Sequence, residues 1–160
     1  MENNSSKREF LRHTLATLAY RAGKALRGAP ESFAAFDPDK SGRTPARILA
    51  HMGDLMDWAL SISKGAQVWS DSAPLPWPEE VERFFGAVKA FDDYLASSAP
   101  LAHPAGKIFQ GAVADALTHT GQINILRRLA GCPIRGENYF KAEISAGRVG
   151  PEQAKPMKEF

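Results

Sequence analysis

Four times along this chain apolar residues recur at alternating steps of three and four, the period of one buried helical face. The first stripe is Leu11, Leu15, Leu18, Ala22 and Leu26, and the second is Ile48, His51, Leu55, Trp58 and Ile62. The third is Val81, Phe84, Val88, Phe91 and Leu95, and the fourth runs Ile108, Ala112, Asp115, His119, Gln122, Leu126 and Leu129. No stretch alternates as a strand would, and there is no internal repeat or low-complexity tract. The punctuation agrees with four helices. Ser5 and Ser6 are placed to cap the first, and Gly28 with Pro30 stops it. Thr44-Pro45 sets a capping hydroxyl before a proline at the first helical position, and Gly65 closes that helix. Pro78-Glu79-Glu80 supplies an acidic first turn to the third. The expected helices cover about 7–27, 44–63, 78–98 and 105–130.

The fold class that follows is all-α: a four-helix bundle roughly 30 to 35 Å long, one domain over residues 1–160. The loops after helices one and two are longer than an up-down bundle needs, which predicts a crossover or the rim of a pocket. Trp69 and Trp77, in the second of these loops, either cover the bundle or line a pocket, and covering is the preferred reading. Residues 131–160 hold three glycines from Gly136 onward and little periodicity, so they form an irregular tail laid over the bundle.

Charge narrows the function. Lys and Arg number 20 against 18 Asp and Glu, spread along the whole length, which leaves no basic stripe for nucleic acid. No run approaches the roughly 20 apolar residues of a membrane span, and no signal-peptide core follows the polar start, so a soluble cytoplasmic protein is expected. The single Cys132 excludes an internal disulfide framework or a cysteine-rich zinc knuckle. Asp37-Pro-Asp39-Lys-Ser41-Gly42 opens like a calcium loop. Twelve residues from Asp37 end at Ile48, without the terminal Glu such a loop needs, and a turn is the reading.

The chemistry lies on the fourth stripe. Its ends are apolar, but Asp115, His119 and Gln122 sit in the middle, where buried polar groups are costly unless satisfied. Asp115 and His119 at i and i+4 project from one face and can reach one ion. His51 interrupts the second stripe in the same way and supplies a third ligand if the two helices are neighbours. Two imidazoles and a carboxylate leave metal positions open for water or substrate. Gln122 is placed to orient a ligand, Asp54 stands one turn from His51 and is a further support, and Gly121 in mid-helix suggests a close approach by another backbone. A hydrogen-bonded core histidine and a plain Asp–His pair are the alternatives. His13 and His103 read as solvated, and Arg127-Arg128 as surface charges balancing a helix end. Tyr139, Glu143 and Arg148 are the tail residues that would close over the site if the tail reached it.

Thr44-Pro-Ala-Arg-Ile-Leu-Ala-His51-Met-Gly-Asp-Leu-Met-Asp-Trp58 resembles the second-helix signature of the DinB-like (YfiT-like) superfamily of metal-dependent proteins. Asp115-Ala-Leu-Thr-His119-Thr-Gly-Gln122-Ile, with the following Leu-Arg-Arg-Leu-Ala-Gly, is similar to its second metal motif. The resemblance spans Leu11 to Tyr139. It implies a bundle of unusual connectivity, a homodimer, and one divalent ion, nickel or zinc, near one end. It also implies chemistry on a low-molecular-weight thiol or on water, as in thiol S-transferases and hydrolases. The family's common motif is three histidines. His51 and His119 match two, and Asp115 stands where the third is usual, a harder ligand that also admits manganese or iron. A non-catalytic, stress-associated binding or dimerisation bundle is the rival reading.

Overall fold

The computed structural model describes residues 4–160 and is all-helical, with four principal helices and no strand among the described residues. Helix α1 is Asn4–Leu26, α2 is Pro45–Ser63 and α3 is Trp77–Ala96. The fourth is continuous over residues 105–129 but has three parts: α4 (Ala105–Ile108), one π-helical turn (Phe109–Val113) and α5 (Ala114–Leu129). Short 3₁₀ turns lie at Glu31–Ala35 and Tyr139–Lys141. Ser5 and Ser6 fall inside α1 rather than capping it. Thr44 does cap α2: its side chain accepts a hydrogen bond from the Arg47 N–H at 3.3 Å. Both α2 and α5 end on a glycine at positive φ, Gly65 and Gly131. There the next N–H reaches back to a last-turn carbonyl, Ala66 to Ser61 at 3.0 Å and Cys132 to Arg127 at 2.9 Å.

Around the bundle the neighbours are α1 with α3, α3 with α2, α2 with α5, and α5 with α1. Directions follow from the contacts. Arg8 and Arg12 at the start of α1 bond the carbonyls of Tyr94 and Leu95 and the carboxylate of Asp92 at the end of α3, so these two helices are antiparallel. Arg83 bonds the Ala50 carbonyl while Tyr94 points to the Ser63 carbonyl, so α2 and α3 run the same way. Arg127 near the end of α5 donates to the carbonyls of Ala25 and Arg27, which makes α5 parallel to α1. The sequence of directions is up, down, down, up.

Two parallel helices in succession need a return path, and residues 64–76 are that crossover. The segment runs back along α2: Val68 N–H bonds Ser61 Oγ at 3.1 Å, and Ser72 N–H bonds Asp54 Oδ2 at 2.9 Å. Its far end is held by Leu75 N–H on Glu80 Oε2 at 2.8 Å. Asp54 and Glu80, both buried, share the Arg83 guanidinium. Buried charges of this kind persist only when every one is partnered, and here they tie α2, α3 and the crossover together.

The core holds the whole first stripe and, of the second and third, Ile48, Leu55, Ile62, Phe84, Val88, Phe91 and Leu95. His51, Trp58 and Val81 are only partly buried, and Leu49, Met52 and Met56 centre the α2 core face. The fourth stripe departs from expectation. Ile108 and Ala112 are buried, but beyond the π turn the buried positions become Ala116, His119, Thr120, Ile123 and Arg127, while Leu129 is 61% exposed. One extra residue in a helical turn advances the face by about 100°. A stripe counted at a constant 3.6 period therefore slides off the core past Val113.

The tail clasps α1. Buried Glu137 accepts from Tyr20 Oη at 2.6 Å and Lys24 Nζ at 2.8 Å, and Lys24 also bonds Glu159 at 2.8 Å. An isolated bridge pairs Glu137 with Glu159. Tyr139 meets Tyr20 edge to face and lies under the Arg21 guanidinium, 4.4 Å from its ring centre, on α1 and not on the His51 side of α2. Trp77 covers the core, buried edge-on to Phe33. No helix among the described residues is long and apolar enough to cross a membrane.

Candidate metal centre

The antiparallel packing of α2 on α5 sets His51 opposite Asp115 and His119. Their nearest donor atoms all lie within 4.8 Å of one another, and this His/Asp/His group can hold a metal ion. His51 Nε2 is 3.5 Å from Asp115 Oδ2, and His119 Nε2 is 3.5 Å from Asp115 Oδ1. Donors bound at 2.0 to 2.2 Å in a tetrahedral shell stand roughly 3.3 to 3.6 Å apart, the length of these two contacts, each of which uses a different oxygen of Asp115. The imidazoles meet edge to face, with centres 4.7 Å apart.

His119 is the fixed member of the group, only 6% exposed. Its Nδ1 lies 2.7 Å from Gln122 Oε1. A carboxamide oxygen only accepts, so in this arrangement Nδ1–H donates to it and Nε2 is the ring atom that faces the cluster. Metal-ligating histidines commonly donate their other ring N–H in this way. His51 is half-buried and braced by Trp69, whose ring centre is 5.5 Å away, and Trp69 in turn meets Trp58 at 5.9 Å. Trp58 packs over Gly111 in the π turn. The π turn ends at Val113, immediately before Ala114 and Asp115, so the local irregularity aims the carboxylate.

The structure thus brings together His51, Asp115, His119 and Gln122, the residues singled out from the sequence. The premise that selected them needs correcting: with the face rotated by the π turn only His119 is buried, and the Asp115 side chain is 45% exposed. Asp54 does not turn to His51; its oxygens are bound by Ser72 and Arg83. Gly121 meets no close backbone, since a Cβ there would find open space. Arg127 is no surface charge but is buried, closing the C-terminal carbonyls of α1. Tyr139 is engaged with α1. His13 and His103 are exposed, and Cys132 is half-buried and free.

Sequence reasoning missed three residues beside the site. Arg43, Arg47 and Asp71 line an open pocket of about 510 Å³ that has His51 in its wall. Arg47 stands four residues before His51, on the same face of α2, and that spacing was the available signal. Trp69, expected to cover the bundle in preference to lining a pocket, is 48% exposed and forms part of the site wall. No family model matches the chain, and comparisons with curated proteins and with solved structures likewise return no match.

Proposed function

We propose that this is a metal-dependent protein of the DinB-like type, in which His51, Asp115 and His119 hold one divalent ion for chemistry on a small thiol or on water. The observation that carries the reading is the convergence of three donors from two antiparallel helices, with His119 oriented by Gln122. The up-down-down-up order of the helices supports it, because the resemblance implies unusual connectivity. A borderline set of two imidazoles and one carboxylate suits zinc or nickel, and admits manganese or iron. When bound, such an ion supplies Lewis acidity that lowers the pKa of a thiol or water and makes a nucleophile near neutral pH. The protein's own part is to hold the donors on two rigid helices, to orient His119 through its Nδ1, and to wall one side with Trp69 and Trp58. By the same resemblance the working form is a homodimer and the thiol a low-molecular-weight one.

A second reading has an observation in its favour. Asp115, half-exposed and 3.5 Å from both imidazoles, also fits a carboxylate that simply packs between two histidines in a non-catalytic bundle. Metal analysis separates the two, using protein purified without a nickel column. The metal reading expects close to one equivalent per chain in the wild type and its loss in His119→Ala. A metal-free wild type whose stability does not change on adding zinc or nickel would end it. A melting temperature that rises with a small thiol only in metal-loaded protein supports the S-transferase form, and no such rise counts against it.

A further inference from the structure

The pocket beside the triad has a charge pattern of its own. Arg43 precedes the Thr44 cap of α2 and Arg47 lies in its first turn, and both line the pocket with His51, Asp71, Ser72 and Gly42. Among the described residues no hydrogen bond or ion pair engages either guanidinium. The positive end of a helix is an unfavourable place for a cation, and acidic residues normally occupy it. Helix α3 follows that rule with Glu79 and Glu80, whereas α2 has no acidic residue in its first turn. The carboxylates of the preceding loop bond their own turn: Asp37 accepts from the Gly42 N–H at 2.9 Å and the exposed Asp39 from the Ser41 N–H at 3.2 Å. Only Asp71 opposes the two arginines across the pocket. Two guanidiniums faced by one carboxylate thus stand beside a helix N-terminus inside a concavity of small-molecule size, one wall of which is a residue of the triad.

We infer that this pocket binds the anionic group of a small-molecule substrate, a carboxylate or a phosphate, on Arg43 and Arg47. Guanidinium forks recognise both groups through paired, charge-assisted hydrogen bonds. His51 belongs to both the pocket and the triad, so an anion held there leaves the rest of its molecule beside the donor cluster. Trp69, on another side of His51, offers an aromatic surface to an apolar portion. The substrate class is a small organic acid or phosphate ester. The inference rests on the metal reading for its catalytic meaning but not for the binding itself.

The test uses that independence. Inorganic phosphate and succinate are titrated separately into the full chain at low ionic strength, following the arginine Nε–Hε resonances by NMR, with sodium chloride as the control for screening. Saturable binding of at least one probe is expected in the wild type. It should weaken by about tenfold or more in R43Q/R47Q, in line with loss of charged hydrogen bonds, and tighten in D71N. In His119→Ala, which removes a metal donor, it should persist. All these positions except His119 are exposed or half-exposed, so the arginine and Asp71 variants keep the fold. No saturable binding to the wild type, equal binding to R43Q/R47Q, or loss of binding in His119→Ala each overturns the inference, the last by placing the anion on the metal. A wild type that takes up no metal but still binds anions through the arginines would remove the metal reading and leave this pocket standing.

Discussion

At the scale of single residues the decisive contact is Gln122 Oε1 on His119 Nδ1 at 2.7 Å. It orients the one buried imidazole of the four and leaves its Nε2 toward Asp115. Partners of metal-bound histidines are worth about 10- to 100-fold in affinity. Gln122→Ala should therefore weaken zinc binding by about that factor while leaving the stoichiometry at saturation unchanged, as read by competition with a chelating dye. Equal affinity in wild type and variant would show that the hydrogen bond has no part in holding a metal. His51, Asp115, His119 and Gln122 were legible in the sequence because helical spacing alone placed three of them on one face. Arg43 and Asp71 were not, since they come from two loops that have no period, and Arg47 was legible only through its four-residue spacing from His51. Asp54 misled because its spacing from His51 is the same as that of a supporting residue. Only the path of the crossover, which brings Ser72 to it, decides otherwise.

Single helices show where period fails. The first stripe was read correctly throughout and the third apart from Val81, whereas the α2 core face is centred on Leu49, Met52 and Met56 and the stripe through His51 and Trp58 runs along its edge. The fourth was read correctly up to Ala112 and then wrongly, because a π turn carries no mark in Phe109-Gln-Gly-Ala-Val113. Two glycines make the energetic contrast measurable. Gly121 on α5 faces open space, so Gly121→Ala should stabilise the protein by about 1 kcal/mol through helix propensity alone. Gly53 on α2 would gain the same propensity, but its Cβ would stand 2.9 Å from Arg83 Nη1. Shifting Arg83 disturbs its bonds to Asp54, Glu80 and the Ala50 carbonyl, each charge-assisted bond being worth about 1.5 to 3 kcal/mol. The loss exceeds the gain, and Gly53→Ala should lower the denaturation midpoint while Gly121→Ala raises it. Both changes are read in one urea series.

The whole molecule is closed by the clasp between its tail and α1. The sequence showed the tail to be irregular and laid on the bundle, but not where, because Glu137 and Glu159 carry no periodic signal toward Lys24. Burial lowers the Lys24 pKa, and its bonds to Glu137 and Glu159 outweigh that and leave it raised. Burial and the Glu137 bond raise Tyr20 above its ordinary 10.0. Groups with raised folded values stabilise the fold below the unfolded value and lose that contribution as pH climbs. Stability from the clasp should thus hold at neutral pH and fall once the pH passes about 10, where Tyr20 and then Lys24 lose protons more readily unfolded. Glu159, lowered by Lys24, loses its share on the acid side, as pH drops below the ordinary 4.5. Glu137→Gln leaves the Lys24 ammonium with Glu159 as its one carboxylate and removes the charged acceptor of Tyr20, and should cost about 1.5 to 3 kcal/mol at neutral pH. Melting curves from pH 7 to pH 11 check both points: the wild type should show the alkaline decline, and the variant should melt lower with a shallower one.

The return of residues 64–76 along α2 has an optical consequence. It carries an indole, Trp69, to within 5.5 Å of the His51 ring, centre to centre, and couples it edge-on to Trp58, while Trp77 lies apart against Phe33. The donor cluster therefore comes with its own fluorophore. An open-shell ion such as nickel at the triad should quench this emission, and a closed-shell ion such as zinc should alter it without that quenching. Trp69→Phe should remove most of the nickel response, which would let occupancy be followed in the untagged, unlabelled protein.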